Sequence, residues 1–90
     1  MRRDMDLIRA ILLEIEKMPF PNRGQNVHVS GYSPEDLCYN ALLANEAGLI
    51  DAKFSNNATA FIAIRLTYAG HEFLDAARSE TLWAKARTLP

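Results

Sequence analysis

An α+β fold is what this chain predicts, because a capped helix, two alternating strands joined by a polar turn and a further helix follow one another between Ser33 and Asp75. Three observations carry that reading. Ser33-Pro34-Glu35-Asp36 is a helix start, and Ala47-Gly48-Leu49 is a helix stop. Ile50, Ala52 and Phe54 alternate with Asp51 and Lys53, the pattern of a strand with one buried face. Ser55-Asn56-Asn57 then supplies turn residues before a second apolar run that leads into RLTYAGHEFLD. A helix followed by a hairpin in this order is a small winged helix-turn-helix-like domain, with helices packed on a β-hairpin wing and a C-terminal helix.

From the start of the chain, Leu7, Ile8, Ile11, Leu12, Ile15 and Met18 recur at helical spacing, with Asp4 as N-cap and Asp6 in the first turn. Placed at about 100° per residue, these six share one face, and Leu13 falls opposite among Asp6, Arg9, Glu16 and Lys17. Leu13 is therefore expected to be exposed, and is a candidate contact for dimerisation. Pro19 and Pro21 stop this helix. Residues 19–32 are where the short helix of a standard helix-turn-helix would fall, and their composition does not decide for or against it. Val27, His28 and Val29 alternate as a short strand would, with His28 outward.

In the helix that starts at Ser33, Leu37, Ala41 and Ala44 are expected to form the buried face, with Cys38 at its margin. In the return strand, Ile62, Ile64 and Leu66 are expected to point one way, and Phe61, Ala63 and Arg65 the other. Thr67 caps a last helix through Tyr68, Phe73, Leu74 and Ala77. Ser79 interrupts it or starts a final turn with Leu82 and Trp83, and the end, KARTLP, is expected to fray.

Composition limits the rest. Ninety residues make one domain, spanning 1–90. With 10 Lys+Arg against 11 Asp+Glu the net charge is −1, so no overall positive field draws in nucleic acid. The single cysteine, Cys38, excludes an internal disulfide and a multi-cysteine zinc site, and fits a reducing, cytoplasmic setting. The N-terminal apolar run is broken by Asp4, Asp6, Arg9, Glu14 and Glu16, which does not suit a signal peptide, and no apolar run is long enough to span a bilayer.

The stretches RRDMDLIRAILLEIE, GYSPEDLCYNALLANEAGLIDA and RLTYAGHEFLDAARSETLWAKAR resemble the DUF2513 family, small proteins of unknown function from bacteria and their phages. The likeness spans nearly the whole chain, and DMDLIR, AGLI and RLTxxGHEFLD are its most specific parts. AGLI and LTxxG pieces also close the recognition helix and second wing strand in winged-helix regulators generally, so the resemblance implies a winged-helix-like frame. It implies no activity. Asn40 departs from it, standing where the family pattern has a histidine.

For function, the residues favour contact over catalysis. Opposite Leu37 and Ala41, the helix from Ser33 presents Glu35, Tyr39, Leu42, Leu43 and Glu46, an acidic and apolar face with no cation. That suits a protein partner or a second copy, with Tyr39, Leu42 and Leu43 as apolar centre and the two glutamates as rim. The competing reading has Leu42 and Leu43 covered by the C-terminal helix through Leu82 and Trp83. The alternative function is a DNA-binding regulator of phage or mobile-element type, using Arg2, Arg3, Arg9, Arg23 and Lys53 as backbone contacts, although the hairpin tip SNNATA holds no Lys or Arg. An enzyme is the weakest class. His71, Glu72 and Asp75 supply half of a metal site at most, Cys38 and His28 have no visible partner, and Arg65 is expected to pair with Glu72 or Asp75. No cofactor and no small-molecule substrate are expected.

Overall fold

The computed structural model describes residues 1–78. Three helices, α1 (Met5–Glu16), α2 (Pro34–Glu46) and α3 (Tyr68–Ala77), pack with an antiparallel hairpin of β1 (Ile50–Phe54) and β2 (Phe61–Leu66) in a winged-helix-like arrangement. The expected final turn at Ser79, Leu82 and Trp83, the fraying tail and any cover they give Leu42 and Leu43 lie outside the described residues.

Local chemistry sets the helix ends. The Asp4 carboxylate accepts from the Leu7 amide, the Ser33 hydroxyl from Asp36 and the Thr67 hydroxyl from Gly70, so each helix has a side-chain N-cap. Helix α2 ends in a Schellman motif: Gly48 takes φ +77°, its amide donates to Asn45 O, and the Leu49 amide donates back to Ala44 O at 2.9 Å.

The core forms where α1 lies across α2, β2 and α3. Leu7, Ile11, Leu12, Ile50 and Leu74 are fully buried there, with Ala41 and Ala44 of α2 allowing the helices close approach. Leu13 is half-buried and packs against this cluster, contrary to its expected exposure. The apolar stripe of α1 has neighbours on several sides, since α2, β2 and α3 all contact it, and is wider than the periodicity implied.

Strand β2 corrects a second expectation. Ile50 pairs with Leu66 and Asp51 with Arg65, but Ala52 pairs with Ala63, so Ile64 is an extra residue in a β-bulge. The bulge reverses the alternation, leaving Ala63 and Leu66 both buried and Ile62 and Ile64 only half-buried. Phe61 stacks on Phe54 with ring centroids 5.6 Å apart, on the core side of the hairpin tip.

Residues 19–32 contain no helix, so the short helix of a standard helix-turn-helix is replaced by an irregular segment. Nor is there a strand at Val27–Val29. The pairing falls two residues earlier, where Gln25 and Ala63 exchange both backbone bonds at 2.9 and 2.8 Å. Asn22 holds this segment in place, donating to Pro19 O and Ile64 O and accepting from the Gly24 amide. Gly24 lies so close to Ile62 that a Cβ there would sit 2.4 Å from its Cδ1.

Candidate interaction surface

Helix α2 shows which of its sides faces the protein. Cys38, Asn40, Ala41 and Ala44 are buried and Leu37 is half-buried, so the inward side is broader than expected and includes a polar residue. Asn40, 1% exposed, accepts from the Asp4 amide at 2.7 Å and donates to Asp36 O at 2.9 Å and Arg2 O at 3.3 Å. It clamps the segment entering α1 onto α2, with both amide hydrogens donated and the amide oxygen engaged. Asn40 is thus a structural residue in this chain.

On the opposite side, Glu35 and Glu46 are exposed, and Tyr39, Leu42 and Leu43 are half-buried. None of these three apolar side chains belongs to the set packed on the described core, in contrast with Leu37 and Leu49. The acidic and apolar face inferred from the helical wheel is therefore assembled on one side of α2.

The five candidate phosphate-binding cations do not form one patch. Arg2 and Arg3 are exposed where the chain meets Asn40, whereas Arg9 reaches α3 and donates to Ala77 O at 3.1 Å. Only Arg23 and Lys53 come to a common region: Lys53 is the cross-strand partner of Ile62, and Arg23 adjoins the glycine that touches it. Both are exposed.

Arg65 pairs with Asp51 across the hairpin at 2.7 Å and not with Glu72 or Asp75. The bulge accounts for this, because it turns Arg65 and Asp51 to the same face. Arg78 takes the α3 position instead, bridging Glu16 of α1 and Asp75. His71, Glu72 and Asp75 are all exposed, and among the described residues no group of three or more potential metal ligands comes together. A cleft of about 370 Å³ lies between the end of α1, β2 and α3, lined by Met18, Phe20 and Ile64 and edged by Glu16, Arg65 and His71. Cys38 is buried against the hairpin tip, its thiol 3.0 Å from Ala58 O, and burial pushes its pKa up, away from nucleophilic character. No described helix is long and apolar enough to cross a membrane.

The junction between α2 and α3 unites two of the sequence pieces on which the resemblance rests, AGLI and LTYAG. The Thr67 amide donates to Leu49 O at 3.0 Å, its hydroxyl donates to Gly48 O, and Gly70 lies flat on the Leu49 carbonyl. AGLI and LTYAG are thus two halves of one contact. The family model described as "Hypothetical protein (DUF2513)" matches residues 2–89. An uncharacterized protein of Haemophilus influenzae is 39% identical over 92 residues, an alignment covering 98% of this chain and 77% of that protein. No solved structure matches the chain. With the family model spanning almost every residue, the chain belongs to the DUF2513 family.

Proposed function

We propose that this domain works by contact and not by catalysis, and that the outward side of α2 receives a protein partner with an apolar centre and a Lys/Arg flank. The observation that carries the reading is the placement of Tyr39, Leu42 and Leu43, half-buried yet outside the described core, between the exposed carboxylates of Glu35 and Glu46. Charge argues for a different protein over a second copy. In a two-fold contact through this face the same patch meets itself, so acid would confront acid. The test is affinity capture with wild type, Leu42→Asp and a Glu35→Lys/Glu46→Lys double variant. A captured protein counts only if both variants lose it and a reversed charge on that protein restores the double variant. Unchanged capture by both variants overturns the proposal.

DNA binding is the second reading, favoured by the exposed pair of Lys53 on the hairpin and Arg23 in the irregular segment beside it. Against it, α2 carries carboxylates where a groove-reading helix carries cations. Titration with random duplex DNA at rising salt decides: binding at low salt that falls steeply promotes this reading, and absence of binding removes it.

A further inference from the structure

A groove of about 510 Å³ opens on another side of the molecule, between the irregular segment 26–32, the first turn of α2 and the hairpin. Val27, Val29, Leu37 and Phe61 supply its apolar surface, and none of its lining residues is Asp, Glu, Lys or Arg. Its volume falls in the usual range for sites that enclose a ligand, about 300–1,000 Å³.

Backbone groups at this groove lack partners. Ala63 turns both its N–H and C=O outward to Gln25, and antiparallel pairing alternates, so Phe61 presents its N–H and C=O on the same outer edge. Extending the antiparallel register from Gln25 and Ala63 brings Val27 opposite Phe61, yet no hydrogen bond joins them. Asn26, Val27 and His28 make no backbone hydrogen bond at all among the described residues. The strand pairing begun at Gln25 is thus left open where the groove lies.

The rim is acidic. Glu35 and Asp36 follow Pro34, which lines the groove, and neither has an ion-pair partner among the described residues. Tyr32, also in the lining, is held protonated by partial burial and then by the negative charges of Asp4 and Asp6.

We infer that this groove seats an extended peptide segment of a partner protein, its backbone paired to the open edge of β2 at Phe61, one large apolar side chain in the groove and a cationic side chain reaching beyond it to Glu35 and Asp36 in the first turn of α2. Recognition of this kind takes affinity from main-chain bonds and selectivity from the side-chain pocket. It shares only Glu35 with the outward face of α2, and shifts at Val27 and Phe61 as against Leu42 and Leu43 tell the two sites apart.

The test is an NMR titration of the ¹⁵N-labelled full chain with three capped synthetic pentapeptides: Lys-Val-Trp-Val-Lys, the same sequence with backbone N-methylation at both valines, and Glu-Val-Trp-Val-Glu. The basic peptide is expected to shift the amides of Val27, Leu37 and Phe61. The methylated and acidic peptides should bind at least about tenfold more weakly, since one lacks donors and the other carries like charge. Thr59→Lys, an exposed change at the rim, should weaken the basic peptide about fivefold while leaving the spectrum folded. No shifts at millimolar peptide, equal binding of all three peptides, or shifts confined to Leu42 and Leu43 would each overturn the inference, and the last would do so while supporting the α2 reading.

Discussion

Replacing Gly70 with alanine sets two effects of opposite sign against each other. Inside a helix alanine is favoured over glycine by about 1 kcal/mol, so on propensity alone Gly70→Ala would stabilise α3. A Cβ at this position would however lie 2.0 Å from the Leu49 carbonyl oxygen and 3.0 Å from its carbon. The obstacle is backbone, so no rotamer change relieves it. Reaching an ordinary C···O contact of about 3.3 Å requires the start of α3 to retreat by about 1.3 Å. A retreat of that size breaks the Thr67 N–H bond to Leu49 O and the Thr67 hydroxyl bond to Gly48 O. Two lost bonds cost about 1–3 kcal/mol. Overpacking adds about 1–3 kcal/mol. After the propensity gain is subtracted, the net loss is about 1–5 kcal/mol. At about 4–8 °C per kcal/mol for a domain of this size, Tm should fall by at least about 4 °C. Urea and thermal unfolding followed by circular dichroism measure it, with Ala69→Gly, an exposed neighbour in the same turn, as control losing about 1 kcal/mol. A Gly70→Ala protein as stable as wild type, or more so, refutes the account of the junction.

Three further outcomes are expected of the same fold. Asn40→Ala strands the Asp4 amide and two carbonyls that Asn40 now serves, and should cost about 1–3 kcal/mol in urea unfolding, with faster hydrogen exchange at the start of α1. Ala58 sits at φ +54°, a conformation costly for a residue with a Cβ, so Ala58→Gly should raise stability by up to about 1 kcal/mol. Burial raises the Cys38 thiol pKa, and burial followed by Asp4 and Asp6 raises that of Tyr32. A raised folded-state pKa gives stability that is fully present below the unfolded value and lost as pH rises through the folded one. Stability should therefore be level through neutrality and decline above about pH 8.5, with Cys38→Ala removing the earlier part of the decline and thiol alkylation staying slow at neutral pH.

The helix ends were legible because capping is local. Asp4, Ser33, Gly48 and Thr67 each act on groups within a few residues, and the structure uses all four as read. What escaped depended on distant neighbours. The run from Phe61 to Leu66 alternates in sequence, yet the bulge at Ile64 is set by the pairing with β1, so the inward set changed and Arg65 found Asp51 instead of α3. The role of Asn40 depends on the chain entering α1, 36 residues away, which lies over it. Leu13 gained neighbours that a helical wheel does not contain. For the candidate face, the grouping of Glu35, Tyr39, Leu42, Leu43 and Glu46 followed from helix geometry alone. The separation of Arg2, Arg3 and Arg9 from Arg23 and Lys53 required the tertiary fold.

The Gly48–Thr67 tie also bears on the order in which the chain folds. It joins residues 19 apart in sequence and closes the hairpin at its base, whereas the Asn40 clamp spans 36 and the Arg9 contact 68. Short closures lose the least chain entropy, so the unit from the end of α2 to the first turn of α3 is expected to assemble first, with α1 docking afterwards. Substitutions at Gly70 should then slow folding, and those at Asn40 should chiefly speed unfolding. The short stretch from the end of α2 to the first turn of α3 would be the nucleus around which the remaining elements gather.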